Sequence, residues 1–94
     1  MSPRRSKLEI MLTVLSAVRD GEEKPTKIMY ASNLSWVPTQ RMLSEMVDQG
    51  LLIRREYPER KRSRTRYAIS EKGLRILRYF EKAEEVIGID LTSP

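Results

Sequence analysis

The sequence predicts an α+β fold that is mainly α, with four helices and one β-hairpin between the third helix and the fourth. Two patterns predict it. Apolar residues recur at spacings of three and four in four stretches bounded by Ser, Pro, Asn or Gly, which is the signature of amphipathic helices. Between residues 51 and 69, strand-forming residues flank a polar, basic run, the pattern of two strands joined by a loop. A chain of 94 residues is the size of one domain, and 39% hydrophobic against 33% charged residues is apolar enough to fold around a small core. No run approaches the roughly eighteen apolar residues of a membrane span, and the basic start leads directly into a helix-patterned segment containing Glu9, so a cytoplasmic protein is expected.

The first helix is expected from about residue 6 to 19. Ser6 and Glu9 have capping-box spacing, and Leu8, Met11, Leu12, Leu15 and Val18 form a stripe that Ile10, Val14 and Ala17 widen, until Gly21 offers a stop. Pro25 suits the first turn of a short second helix, 25–32, with Ile28, Met29 and Ala31 apolar and Asn33 as a left-handed exit. Ser35 is positioned to cap a third helix, 36–49, with Pro38 tolerated in its first turn. Thr39, Leu43, Met46 and Val47 give that helix one inward face, which leaves Val37, Pro38, Gln40, Arg41 and Ser44 directed elsewhere. Trp36 reads as a staple holding the turn to the core, with stacking on a sugar or base as the alternative, and Tyr30 and Tyr57 read as structural. Strands are expected over 51–57 and 65–69, with Thr65, Tyr67 and Ile69 on one face and an exposed loop at 58–64. Ser70 caps the last helix, which runs through Leu74, Ile76, Leu77, Phe80, Ala83, Val86 and Ile87. Residues 1–70 thus form the main unit with a basic N-terminal arm, 71–88 the closing helix, and 89–94 a frayed tail.

Composition narrows the chemistry. Without cysteine there is no disulfide, thiol nucleophile or thiolate metal site, and without histidine the commonest general base and metal ligand are missing. The sequence holds neither a Gly-rich phosphate loop nor an acidic cluster away from helix surfaces, so an enzyme, a metal and a cofactor are not expected. Net charge is +5, and its location is more informative than its size. From Arg54 to Arg66 seven basic residues face two acidic ones, while the other eighty-one residues carry eleven of each sign and sum to zero. One segment therefore carries the preference for a partner, and that partner should be polyanionic.

Helix, helix, turn, helix, basic hairpin, helix is the order of a winged helix-turn-helix domain. The residues Asn33-Leu34-Ser35, Leu43, Gly50-Leu51-Leu52 and Tyr67-Ala68-Ile69-Ser70-Glu71-Lys72-Gly73 resemble winged-helix transcription regulators. The string from Lys27 to Trp36, with Tyr30-Ala31-Ser32-Asn33-Leu34-Ser35 at its centre, is similar to small basic archaeal winged-helix DNA-binding proteins, a family that includes chromatin-associated dimers and predicted regulators. The resemblance spans roughly residues 5 to 80 and implies binding to double-stranded DNA.

The chemistry of the residues agrees with that implication. A third helix in the major groove would offer Gln40 toward adenine, Arg41 toward guanine, Val37 and Pro38 toward a thymine methyl, and Ser44 toward a base or a phosphate. Thr26 and Lys27, at the start of the second helix, suit a phosphate. Arg60, Lys61, Arg62, Arg64 and Arg66 on the wing suit the phosphate backbone or a narrow minor groove, and Arg4 and Arg5 form a basic arm for a further phosphate. A solvated face is the alternative for the helix residues, and edge protection is the alternative for the wing. Ile76, Phe80, Ala83 and Ile87 recur at spacings of four, three and four, an apolar excess that predicts a homodimer through the last helix. The resemblance implies a coiled coil there, formed in those archaeal proteins by a longer helix. The expected function is a dimeric transcription regulator. A nucleoid or chromatin protein with little sequence preference and a protein-interaction module are the alternatives, separated by the specificity ratio between duplexes.

Overall fold

The computed structural model describes residues 5–62 and 64–89, so the expectations for Arg4 and for the tail from residue 90 onward lie outside the described residues. Six elements run in the expected order: α1 (Lys7–Arg19), α2 (Pro25–Ser32), α3 (Trp36–Asp48), β1 (Leu52–Glu56), β2 (Thr65–Ile69) and α4 (Glu71–Ile87). The strands pair antiparallel, with Leu52 opposite Ile69 and Glu56 opposite Thr65.

Local chemistry explains most boundaries. Ser6 Oγ accepts from the Glu9 amide at 3.1 Å and donates to Glu9 Oε1 at 3.2 Å, so the carboxylate reaches the serine hydroxyl where a capping box would take the backbone amide. Pro25 occupies the first turn of α2, and Asn33 leaves that helix at φ +53°, the left-handed exit expected of it. Ser35 stands at the N-cap of α3, yet its side chain caps nothing. The third helical position there is Pro38, which has no amide to offer a capping oxygen. Instead, the Ser35 carbonyl accepts from the Thr39 amide at 3.2 Å and from Thr39 Oγ1 at 2.8 Å, which satisfies a threonine buried on the inward face.

The core draws on every element. Leu12, Leu15, Ile28, Leu43, Met46, Leu52, Tyr67 and Leu77 are buried together, and Ile76 and Phe80 pack against them from α4. Arg19 Nη1 donates to Glu81 Oε2 at 2.7 Å, which pins the end of α1 to α4 and raises the guanidinium pKa further. At the opposite end of α4, Ser70 Oγ accepts from the Gly73 amide at 2.9 Å and lies 2.6 Å from the Gly50 carbonyl and 3.0 Å from that of Leu51. Lys72 Nζ donates to the Gln49 carbonyl at 2.7 Å. The first turn of α4 thus grips the turn that leaves α3, and Gly73 permits the grip, because a Cβ there would overlap the carbonyl oxygen of Leu51.

Two predictions follow from this packing. Gly73→Ala should lower the unfolding free energy by about 1–3 kcal/mol, since the obstacle is backbone and cannot swing aside; a urea midpoint equal to the parent's would show that the grip has slack. The Tyr67 side chain is only 3% exposed, and burial pushes its phenol above the usual value against a smaller downward pull from Arg54. A native pKa raised above the unfolded value of about 10 contributes stability that is complete below that pH and is lost as pH rises through the native pKa. Urea unfolding between about pH 9 and 11 should therefore show a steeper loss for the parent than for Tyr67→Phe, and parallel curves would contradict this.

Candidate nucleic-acid interface

Helix α3 turns Thr39, Leu43 and Met46 into the core, and this orients its opposite face. Val37, Arg41, Ser44 and Asp48 follow one another at spacings of four, three and four along the exposed side, with Pro38 and Glu45 on one flank. Gln40 is half-buried at the other margin. The expected residues Val37, Pro38, Arg41 and Ser44 are therefore brought together in the open, while Gln40 reaches only the edge of the stripe. Glu45 is neutralised by Lys7 at 2.7 Å, whereas Arg41 has no partner among the described residues. Asp48 extends the stripe with a negative charge. Sequence reasoning passed over it, although its spacing from Ser44 was there to read.

Two aromatic residues depart from expectation. Trp36, read as a staple to the core, is 48% exposed, and Tyr30, read as structural, is 74% exposed. Trp36 is the first residue of α3, before the helix has turned a side chain onto the core. Tyr30 lies one helical turn after Thr26 on the outer side of α2, where Thr26 and Lys27 are also exposed.

The hairpin cations divide into held and free groups. Across the loop between β1 and β2, the Tyr57 amide donates to the Arg64 carbonyl at 2.6 Å and the Arg60 amide to the Tyr57 carbonyl at 3.1 Å. The Arg60 guanidinium lies 4.7 Å above the centre of the Tyr57 ring, and Arg64 Nε donates to the Arg60 carbonyl at 2.6 Å. Below the loop, Arg54 Nε pairs with Glu56 Oε1 at 2.7 Å and Thr65 Oγ1 donates to Glu56 Oε2 at 3.0 Å. The threonine hydroxyl, followed by the arginine, holds the Glu56 carboxyl below the usual carboxylate range.

Arg66 is drawn away from the loop. Its Nη1 pairs with Glu23 Oε2 at 3.0 Å, and the Tyr67 amide donates to the Glu23 carbonyl at 2.9 Å, so the link between α1 and α2 is strapped along β2. The sequence places Arg66 with the free wing cations; the structure commits it to an internal pair. Lys61 and Arg62 remain exposed at the tip and without a partner among the described residues, as does Arg55 on β1 directly opposite Arg66. Arg55 was not singled out from sequence, because pairing register decides which strand cations stay free.

Arg5 also differs from expectation. Its Nη2 donates to the Ser32 carbonyl at 2.6 Å and to the Asn33 carbonyl at 3.2 Å, so the residue closes the C-terminus of α2 instead of trailing as a free arm. On α4, Phe80 faces the core while Tyr79 stands beside it outside, their rings edge to face at 5.4 Å. Among the described residues no group of acidic, histidine or cysteine side chains is arranged to hold a metal.

Known proteins match this arrangement. A model of the winged helix-turn-helix family matches residues 4–88. An uncharacterized protein of Methanocaldococcus jannaschii is 33% identical over 85 residues, covering 90% of this chain and 35% of that protein, so the chain spans about a third of its relative's length. A DNA-binding protein from Sulfolobus solfataricus superimposes with a TM-score of 0.70 at 24% identity, covering 89% of this chain and 83% of the other. A MarR family transcriptional regulator from Silicibacter pomeroyi does so with a TM-score of 0.65 at 16% identity, covering 83% and 54%. Identities this low speak for the fold alone. Family match and element order thus agree: the chain belongs to the winged helix-turn-helix family and is similar to proteins of Methanocaldococcus jannaschii and Sulfolobus solfataricus.

Proposed function

We propose that this protein binds double-stranded DNA as a transcription regulator, with α3 in the major groove and the tip of the wing on the phosphate backbone or an adjacent minor groove. One observation carries the reading: α3 presents Val37, Arg41 and Ser44 as an exposed stripe with Arg41 unpaired. Arg41 has the fork geometry for guanine, Val37 suits a thymine methyl, and Ser44 reaches a base or a phosphate. Gln40 contacts a base only from the margin. Thr26 and Lys27 at the start of α2, with Lys61 and Arg62 on the wing, supply phosphate contacts that position without specifying. Arg60, Arg64 and Arg66 support these contacts by holding the wing's shape. The DNA-binding Sulfolobus protein and the MarR family regulator favour the same reading through their common fold.

A second reading has its own support. The stripe holds one cation, Arg41, while Lys27, Arg55, Lys61 and Arg62 are sequence-blind, a balance that also suits a nucleoid protein with little sequence preference. Selection of duplexes from a random pool, followed by salt titration of the winner against a scrambled control, separates the two. A regulator should prefer its site by about 10³ or more; equal affinities would favour the nucleoid reading, and weak binding to both a protein partner. In the same assay, Arg41→Ala should cost about 1–3 kcal/mol and relax preference at one position, whereas Arg62→Ala should weaken both duplexes evenly and lower the salt slope by about one. Uniform weakening by Arg41→Ala, or an unchanged slope for Arg62→Ala, would contradict the respective role.

We further infer a homodimer through α4. Tyr79 is 70% and Val86 73% exposed, and with Ile76 and Ala83 they recur at spacings of three, four and three, the repeat of a short coiled-coil seam. This seam keeps Ile76, which also packs against the core, with Ala83 and the neighbouring Ile87, and takes the exposed Tyr79 and Val86 in place of Phe80. A twofold axis there would set two copies of α3 about one duplex turn apart on a pseudo-palindromic site. Sedimentation at micromolar concentration should give a dimer that Val86→Glu converts to monomer with weakened DNA binding. A monomeric parent protein would exclude the arrangement. No described helix is long and apolar enough to cross a membrane, and the reading places the protein on the nucleoid in the cytoplasm.

A further inference from the structure

Most large apolar side chains left exposed fall into two clusters, with Leu8 and Ile53 apart from both. Tyr79, at the middle of α4, and Val86, Ile87 and Ile89, at and just beyond its end, lie in and beside the proposed dimer seam. Tyr30, Trp36 and Val37 lie within eight residues of one another across the turn from α2 to α3 and belong to no part of that seam. Trp36 is the notable member. Among the described residues its ring stacks on no other ring or cation, and its indole N–H has no partner.

Side chains on a helix lean toward its N-terminus, so the indole of the first residue projects ahead of α3. In helix-turn-helix recognition that end of the helix approaches the base edges. Electrostatics selects the occupant of the cluster. Lys27 and Arg41, the cations of the two helices, are both exposed and have no partner among the described residues. A second copy docking here about a twofold axis would bring these cations toward their own counterparts, whereas a polyanion attracts both.

We propose that Trp36 is itself a DNA-contacting side chain, its indole packed on a deoxyribose of the strand that lines the groove where α3 begins, with its N–H available to a phosphate oxygen. The assignment rests on the DNA-binding reading above. It gives the exposed tryptophan an apolar surface to cover and leaves Val37 free for an adjacent thymine methyl.

Trp36 is the only tryptophan, so its emission reports this position alone. The test follows binding of the full chain to a labelled duplex by anisotropy and, in parallel, records tryptophan emission and its quenching by acrylamide. Emission should change in step with anisotropy, and acrylamide access should fall at saturation. Trp36→Leu should bind about tenfold more weakly with its thermal midpoint retained, and Trp36→Phe should recover most of the affinity. Saturated anisotropy with unchanged emission and quenching, and parental affinity for Trp36→Leu, would overturn the proposal. So would emission that shifts with protein concentration in the absence of DNA, which would assign the cluster to a second copy. If no duplex raises the anisotropy, the DNA-binding reading itself fails and the role of Trp36 falls with it.

Discussion

Around Ser70 α3, the wing and α4 are tied to one residue. Its hydroxyl accepts the Gly73 amide and lies within hydrogen-bonding distance of the Gly50 and Leu51 carbonyls, while its own amide donates to Leu51 at 3.1 Å. Residues 49–51 end α3 and lead into the wing, and residues 70–73 end the wing and begin α4. A helix terminus carries backbone groups that need partners, and here the C-terminus of one helix and the N-terminus of another supply each other. Lys72 completes the exchange at the Gln49 carbonyl. The angle between α3 and the wing, on which any groove-and-backbone engagement depends, is therefore set by short hydrogen bonds to main chain and by a glycine that lets the two turns meet.

The basic segment is organised more than its composition implies. Exposed ion pairs contribute little to stability, so the pairs of Arg54 with Glu56 and Arg66 with Glu23 matter chiefly for where they hold the chain. Arg60 lies on the Tyr57 ring and Arg64 closes onto the Arg60 carbonyl, which gives the loop a defined shape before any partner arrives. Ordering a loop in advance removes part of the entropy that binding would otherwise have to overcome. Lys61 and Arg62 then project from a prepared support.

Apolar surface is divided in a similar way. A domain of this size has a small interior, and α4 serves it with Leu77, Ile76 and Phe80 while leaving Tyr79 and Val86 outside. The same holds at the start of α3, where Thr39 turns inward and Trp36 and Val37 do not. Each helix thus covers the core with one arc and offers a second arc to something else.

Much was legible from the sequence. Period, caps and breakers placed all six elements within about a residue of their observed ends, because those signals act over three or four neighbouring residues. The inward face of α3 and the concentration of charge in the hairpin were likewise local facts. What could not be read was the fate of individual side chains whose partners lie far along the chain. Arg66 meets Glu23 across 43 positions and Arg5 meets Ser32 across 27, so neither pairing leaves a trace in spacing. Phe80 and Tyr79 are adjacent aromatic residues on one helix, and only the packing of α4 against α1 sends one to the core and the other to the surface. The sequence alone determined which elements form and where positive charge accumulates, since propensity, capping and composition are local. Tertiary structure decided which cations and which aromatic rings remain free, since that depends on what each surface is pressed against.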